Sequence, residues 1–514
     1  MKLGFLFVTM VFVVLGSNPD RIIVVHRHGA RTPIVSVNTT AICKPHGKCG
    51  SLTSNDKDML YHLGRYLREN YNTTITPYSY YDPEGSIVSR STDTPRTIQS
   101  ATEMIKGLFA HLIKTDVNHE TNPSPLEDSL LDPVVSTVPL DRDDLLLVWT
   151  GLPSLVLMQA VWNNDFFATM QNQTLKLLSL AKLRQLGAEV GPSEECDLQA
   201  HPQTFNAFNC ALDLQDFWNC NRAEGFAASY PLLAKYGPGV LTQVLEEYNS
   251  WSEWIFDDNK YNGNFIRDAG TLGFQLATKI INDAKQPTEG SPSVFHYSGH
   301  DTTLMPLWQT LGNLTLLNPG FGAAMIFEVY SGEANKTIIK AKIGEPGQLP
   351  DDHTYRFDEY QMLCTRMESV GGAVTYTSAS CPLEDFERFI QGRGPTSVLG
   401  KCFANASMLA AVQCTPEERG PLKKKLTQAC KVFRQACPIT ACGDENFITS
   451  SLECDPRVLN VDHEHHHTGK KEHEHITVAI LSGAVAVLAV VVVALLWSRS
   501  KQQTHDNGEY MSVS

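Results

Sequence analysis

Positive charge is scarce in this 514-residue sequence: 42 Lys and Arg residues face 56 Asp and Glu residues, which leaves a formal net charge of −14. A nucleic-acid partner needs a basic face to meet its phosphate backbone, so this balance argues against DNA or RNA as a partner. A local basic pocket is still compatible with the total, and a small phosphorylated ligand is not excluded. The sequence also lacks an internal repeat of fixed period.

Paired CxxC spacing, the usual pattern of a zinc site, is missing from the 13 cysteines. We therefore predict no metal and no cofactor. All 13 cysteines lie between Cys43 and Cys454, before an apolar C-terminal run, which is typical of chains that form disulfides in an oxidising compartment. The odd total leaves one thiol either free or paired between the two chains of a homodimer.

Both ends of the chain carry apolar runs. Residues 1–16 combine Lys2 with a short apolar stretch that ends in small residues, which predicts a secretory signal peptide. Residues 476–497 form an uninterrupted apolar run long enough to cross a bilayer, and Arg499 and Lys501 follow it directly. The polar tail that comes next disfavours a GPI signal, which would end in its apolar stretch. We predict a single-pass type I membrane protein, and the glycosylation sequons fit this topology because all precede the span: Asn38, Asn72, Asn172, Asn313, Asn335 and Asn405.

Between these ends, short β-branched runs alternate with helical patterns. The RIIVV run that begins at Arg21 predicts a fully buried strand, and residues 85–89 and 294–297 predict two more. Residues 59–70, 95–112 and 273–284 have the spacing of helices. This alternation predicts an α/β fold with a doubly wound mixed sheet. Residues from about 155 to 265 are helix-like without strand alternation and predict an inserted helical cap subdomain.

The predicted organisation has six parts. They are the signal peptide (1–16), a main domain with its cap (17–392), a Cys-rich membrane-proximal module (393–455), a His-rich stalk (456–475), the transmembrane helix (476–497) and a cytoplasmic tail (498–514). The stalk is interpreted as a solvated spacer rather than a metal site, although its positive charge should rise between pH 7 and pH 5.

The strongest local signal is the segment RHGARTP, which follows the first buried strand and contains Arg27, His28 and Arg31. Ligands of doubly wound sheets sit beyond the carboxyl ends of the strands, so a site is expected at this turn. Guanidinium groups offer planar forks to the oxygens of a phosphoryl group. A further guanidinium, Arg90, lies in the segment SRSTDTPRT, and the pair His300-Asp301 follows the strand predicted at residues 294–297.

These segments resemble, in order, the signatures of the histidine acid phosphatase family, whose members include prostatic and lysosomal acid phosphatases. RHGARTP is similar to the family's RHGxRxP signature, SRSTDTPRT to its second arginine motif, and SGHDTT to its late HD motif; the resemblance covers about residues 20–390. The resemblance implies that His28 is a nucleophile that forms a phosphohistidine, and that Asp301 protonates the leaving alcohol. It further implies that four side chains bind the non-bridging phosphate oxygens: Arg27, Arg31, Arg90 and His300.

Two alternatives to an acid phosphatase acting on phosphate monoesters stay open at this point. Phytase-like members of the same superfamily share the first motif and act on inositol phosphates, which would require a very basic pocket. A membrane receptor with a catalytically silent phosphatase fold is the alternative from another class. The presence of both His28 and Asp301 favours an active enzyme.

The tail contains Tyr510-Met511-Ser512-Val513, which fits the Tyr-x-x-apolar pattern of endocytic signals. Tyr510 and Val513 would be bound by a clathrin adaptor. We therefore expect location in endosomal or lysosomal membranes, with the plasma membrane as the alternative, and a lumenal or extracellular catalytic domain.

Overall fold

The computed structural model describes thirteen stretches of the chain, which hold most of the predicted main domain. They are residues 18–34, 43, 48–75, 87–110, 133–190, 196, 206–244, 269–312, 318–332, 336–347, 352–369, 371–404 and 428–437. The predicted signal peptide, stalk, transmembrane helix and tail, with Tyr510 and Val513, lie outside these residues, as does most of the Cys-rich module. None of the helices in the described stretches is long and apolar enough to cross a membrane.

A mixed eight-stranded sheet forms the centre of the fold. Its strands, in chain order, are β1 (Arg21–Arg27), β2 (Ile87–Thr92), β3 (Ser136–Val138), β4 (Val294–Gly299), β5 (Ala324–Ser331), β6 (Thr337–Pro346), β7 (Tyr355–Tyr360) and β10 (Ser380–Pro382). The order across the sheet is β10-β6-β5-β1-β4-β2-β3, with β7 also paired to β6. β1, β4, β2 and β3 are mutually parallel, whereas β5, β6, β7 and β10 add antiparallel pairs. A separate hairpin joins β8 (Met362–Glu368) to β9 (Gly372–Ser378).

Helices cover both faces of this sheet. In chain order they are α1 (Ser54–Asn70), α2 (Asn72–Ile75), α3 (Pro95–Leu108), α4 (Val148–Gly151), α5 (Pro153–Leu177), α6 (Leu180–Val190), α7 (Ala207–Ala223), α8 (Pro231–Tyr236), α9 (Phe274–Ala284), α10 (Asp301–Thr310), α11 (Leu383–Gln391) and α12 (Gln428–Ala436). Alternate residues of β1 face opposite cores: Ile22 and Val24 pack with α1 and α3, while Ile23 and Val25 pack with α9, α10 and α11. The prediction of an α/β fold with a mixed sheet is confirmed.

Residues 153–241, which fall largely in the predicted cap, contain α5, α6, α7 and α8 in their described parts. These helices share a third core in which Phe208, Phe217 and Trp218 of α7 are buried. The end of α7 is joined to the sheet domain by hydrogen bonds. The Asn55 amide donates to the Ala223 carbonyl, and the Thr53 hydroxyl donates to Glu224 at 2.5 Å. α7 is thereby held against the loop that leaves β1.

Disulfides staple the chain, as the cysteine pattern predicts. The structure pairs Cys43–Cys49, Cys196–Cys210, Cys364–Cys381 and Cys402–Cys437. Within the described residues, Cys220 is a free thiol, and it is buried in α7. A thiol in that position cannot reach a second chain, so for Cys220 the alternative of an interchain bond does not apply.

Candidate active site

Two neighbouring parallel strands, β1 and β4, bring five of the six predicted site residues to one edge of the sheet. β1 ends at Arg27 and is followed by His28, while the neighbouring β4 ends at Gly299 and is followed by His300. The backbone N–H of His28 donates to the Gly299 carbonyl at 3.0 Å, and the two imidazole centroids lie 5.5 Å apart. Asp301 begins α10 directly after His300. Side chains that are 272 positions apart therefore meet because their strands are hydrogen-bonded partners.

The hydrogen bonds of His28 determine which ring nitrogen is available. Its Nδ1 lies 2.8 Å from the Gly29 carbonyl oxygen. A carbonyl oxygen can only accept, so Nδ1 carries the proton and donates it. Burial lowers the pKa of His28, and neighbouring side chains lower it further, in the order Arg96, Arg27, His300 and Arg31. The imidazole is therefore neutral, and Nε2 keeps its lone pair for a nucleophilic attack.

Arg96, which was not among the predicted site residues, belongs to this cluster. It lies in the first turn of α3, just beyond the end of β2, and its Nη2 is 3.5 Å from His300 Nδ1. Burial lowers the pKa of Arg96 to about 9, and the nearby Arg31 and Arg27 act in the same direction. Pro95 at the start of α3 is the sequence signal that could have placed Arg96, since proline favours the first helical position.

Arg27 is held by the loop that precedes β5. Its Nη1 donates to the Pro319 carbonyl at 2.7 Å, and its guanidinium lies 4.5 Å from the centroid of the Phe321 ring. Gly322, at φ +70°, donates its N–H to the carbonyl of His28 at 3.1 Å. This left-handed conformation suits glycine, and it lets the loop close over the end of β1.

Arg31 is held in place by a carboxylate of the cap helix α7. Asp216 of α7 accepts from both terminal nitrogens of Arg31, at 2.7 and 3.2 Å, and from the backbone N–H of Ile34 at 2.9 Å. Burial opposes the positive charge of Arg31, but Asp216 raises the pKa, so the guanidinium stays protonated. Cys220, one turn further along α7, places its sulfur 3.5 Å from Arg31. The cap helix therefore contributes to the site, and no local sequence pattern points to this long-range pair.

Arg90 is placed differently from its prediction. β2 extends to Thr92, so Arg90 lies inside the strand, and its Nη2 is 2.5 Å from Oδ1 of the fully buried Asp143. Arg90 is not among the side chains that shift the pKa of His28 or His300. The structure thus brings together Arg27, His28, Arg31, His300 and Asp301. Arg96 lies at the place that was predicted for Arg90.

The charges of the cluster suit an anion. Asp301 contacts Arg27, with Oδ2 3.0 Å from Nη2, and Asp216 contacts Arg31. Three guanidinium groups and two carboxylates leave one net positive charge while the histidines are neutral. The Nε atoms of Arg27, Arg31 and Arg96 are buried without a hydrogen-bond partner among the described residues. Such donors can be satisfied by the oxygens of a bound oxyanion.

A buried histidine pair supports the end of β1. His26 Nδ1 donates to the Arg27 carbonyl at 2.8 Å, which leaves its Nε2 to accept from His296 Nε2 at 2.7 Å. Nδ1 of His296 then accepts from the Ser89 hydroxyl at 2.8 Å. Burial lowers the pKa of His26 to about 4 and also lowers the pKa of His296, so both rings are neutral near pH 7. The chain links β1, β4 and β2 directly beneath the site.

Comparison with known proteins finds acid phosphatases among the relatives and a phytase among the similar structures. Lysosomal acid phosphatase of Rattus norvegicus is 26% identical over 317 residues, and testicular acid phosphatase of Mus musculus is 32% identical over 317 residues. Each alignment covers 59% of this chain and 66% of the relative, so the chain spans just under two thirds of the length of these proteins. Among solved structures, the phytase of Klebsiella sp ASR1 is similar with a TM-score of 0.48 and 15% identity, covering 73% of this chain and 95% of that one.

The sequence model of the histidine phosphatase superfamily (branch 2) matches residues 20–343, which is more than half of the chain. The matched region begins just before β1 and ends within β6, so it contains both strand ends that carry the histidines and the helices that carry Arg96 and Asp301. This chain belongs to the histidine phosphatase superfamily, branch 2.

Proposed function

We propose that this protein is an acid phosphatase that hydrolyses phosphate monoesters through a phosphohistidine on His28. The observation that carries the proposal is the state of His28: its Nδ1 is committed to the Gly29 carbonyl, and its Nε2 lone pair is free within a cluster of guanidinium groups. Arg27, Arg31, Arg96 and His300 would bind the non-bridging oxygens. Electrostatic stabilisation of this kind supplies most of the catalysis of phosphoryl transfer.

The reaction would proceed in two in-line steps. In the first, His28 Nε2 attacks phosphorus, the bond to the leaving oxygen breaks, and Asp301 gives its proton to that oxygen. In the second, water attacks phosphorus and loses a proton to the Asp301 carboxylate, while the N–P bond breaks and phosphate is released.

The overall proposal is tested by turnover of p-nitrophenyl phosphate by the purified full-length protein at pH 5. We expect turnover. We also expect competitive inhibition by vanadate or tartrate, because both are anions that can bind to the guanidinium groups of Arg27, Arg31 and Arg96. Treatment with EDTA should leave the rate unchanged, since guanidinium groups supply the positive charge in this proposal. A strong loss of activity with EDTA would point to a metal-dependent phosphatase instead.

The two alternatives fit the site less well. An inositol polyphosphate would bring further phosphates beside Arg27, where a cavity is lined by Glu345 as well as by basic and amide side chains. A silent receptor would not need a neutral, positioned His28 with Asp301 at the end of the same cluster. Activity on simple phosphate monoesters is therefore the function we propose.

We further propose that the catalytic domain faces the lumen or the extracellular space and is anchored by residues 476–497 as a type I membrane protein. The support is the apolar run with its basic flank, the predicted signal peptide and the disulfides, which form in oxidising compartments. Several relatives carry the name lysosomal acid phosphatase. Endosomal or lysosomal membranes are thus the proposed location, with adaptor binding at the tail.

The location proposal predicts that Tyr510→Ala shifts the steady-state pool of the protein to the plasma membrane. Recognition in an extended conformation would use the ring of Tyr510 and the side chain of Val513, so Val513→Ala should have the same effect. Surface biotinylation compares these variants with Ser512→Ala, whose side chain the pattern does not use, as the matched control. An unchanged distribution in both Tyr510→Ala and a chain truncated after Lys501 would reject the tail as the sorting determinant.

A further inference from the structure

A cavity of about 110 Å³ adjoins the cationic cluster on the side of Arg27. Its wall comes from the end of β1, the cap helix α7, the loop before β5, and β6. The lining residues are Arg27, Asn219, Arg222, Asn318, Gly320, Phe321 and Glu345. His28, Arg31, Arg96 and His300 are not part of this wall. The cavity is therefore next to the position of the transferred phosphoryl group and distinct from it.

Arg27 connects this cavity with the proposed proton donor, Asp301. Arg27 lines the cavity, and its Nη2 is also 3.0 Å from Oδ2 of Asp301, the proposed proton donor. In an in-line transfer, the leaving oxygen lies opposite His28 and beside the group that protonates it. The remainder of the alcohol must then extend past Arg27.

The cavity carries both signs of charge on different elements. Arg222 projects from the end of α7, and Glu345 comes from β6, where one carboxylate oxygen accepts the N–H of Gly320 at 2.9 Å. Neither Arg222 nor Glu345 forms an ion pair with another residue that the structure describes. Asn219 and Asn318 add amide groups that can donate or accept.

We propose that this cavity is a leaving-group subsite for a small zwitterionic alcohol, so that the preferred substrates are phosphomonoesters of the amino-acid type. The carboxylate of the leaving group would face Arg222 and its ammonium would face Glu345. This inference rests on the proposed phosphatase function and adds the substrate class to it. An apolar leaving group would displace the water that is hydrogen-bonded to these charged and amide groups and would offer no hydrogen bond in its place. A polyanionic leaving group would be repelled by the carboxylate of Glu345.

The experiment measures kcat/KM of the full-length protein for four small substrates. O-phosphoserine carries both charges, phosphoglycolate the carboxylate, phosphoethanolamine the ammonium, and glycerol 1-phosphate neither. We expect O-phosphoserine to exceed glycerol 1-phosphate by about tenfold, in line with two modest contacts at a solvent-accessible rim. Arg222→Gln should remove the advantage of carboxylate substrates, and Glu345→Gln that of ammonium substrates. Gln at position 345 keeps an oxygen for the Gly320 N–H, so the second change removes charge and preserves the hydrogen bond.

The control is Arg366→Gln, which removes an arginine from the exposed β8–β9 hairpin, where its side chain is 57% exposed and pairs with Glu368. This variant should keep the substrate ratios of the original protein. Ratios that stay within twofold in both Arg222→Gln and Glu345→Gln would overturn the subsite while leaving the phosphatase proposal in place. If the unmodified protein hydrolyses neither these substrates nor p-nitrophenyl phosphate, the proposed function fails, and the subsite fails with it.

Discussion

Replacing His28 by alanine is expected to reduce turnover of p-nitrophenyl phosphate by on the order of 10⁴-fold or more, the scale seen when an enzyme loses its nucleophile. The variant retains the guanidinium groups of Arg27, Arg31 and Arg96 but lacks the nitrogen that would accept the phosphoryl group. Acid quenching with ³²P-labelled substrate should trap an acid-labile phosphoenzyme in the unmodified protein and none in His28→Ala.

Folding should be little affected by this change. The only side-chain hydrogen bond that the described residues show for His28 joins Nδ1 to the carbonyl of the adjacent Gly29. The substitution therefore removes ring contacts with His300 and Phe321 but no hydrogen bond between elements. His62→Ala, which removes an exposed histidine from α1, serves as the matched control and should keep full activity. Unimpaired turnover in a folded His28→Ala protein would remove the central mechanistic proposal.

The residues next to strand ends were the part of the site that the sequence could reveal. The RIIVV run predicts a buried parallel strand, and RHGARTP and HD follow their strands at once, so their meeting at one sheet edge follows from the α/β pattern. The number and position of the cysteines predict that disulfides form, but they do not predict which cysteines pair. Many pairings are compatible with the same number of cysteines, and only the fold selects among them.

In the segment SRSTDTPRT, the end of the strand could not be predicted from the sequence. The strand was expected to end at residue 89, which would have put Arg90 in the loop beyond the sheet edge. β2 instead continues to Thr92, so Arg90 lies within the sheet and meets Asp143, while Arg96 occupies the turn beyond. Strand ends are set by pairing with neighbours, here β3 and β4, and no local pattern encodes that pairing.

The contribution of the cap had no sequence signal at all. Asp216 and Cys220 approach Arg31 across 185 and 189 positions, and both sit on a helix whose sequence reads as an ordinary buried helix. Phe321 likewise contacts the guanidinium of Arg27 from a loop in which its two sequence neighbours are the glycines Gly320 and Gly322. Contacts of this kind depend on the packing of whole elements, so a single sequence without its fold does not predict them.

Arg96 and Arg90 allow a direct comparison of two arginines from one segment. Arg96→Ala is expected to lower kcat/KM by about 10²–10³-fold, the loss seen when one donor to a transition-state oxyanion is removed. Its pKa is lowered by burial and by neighbouring cations, so removing it relieves repulsion and should not lower the urea midpoint of unfolding. Arg90→Ala is expected to change kcat/KM by less than about tenfold, because Arg90 lies inside β2 and pairs with Asp143.

The cost of Arg90→Ala should instead appear in stability, at about 2 kcal/mol of unfolding free energy, because the buried Asp143 loses its cationic partner. Burial already raises the pKa of Asp143, and loss of Arg90 raises it further, so the carboxyl takes up a proton more readily as the pH falls. A neutral Asp143 no longer needs a cation, and the destabilisation should therefore be smaller at pH 5 than at pH 7 in urea unfolding. A large catalytic loss in Arg90→Ala together with near-normal activity in Arg96→Ala would show that Arg90, and not Arg96, is the third arginine that binds the phosphate oxygens.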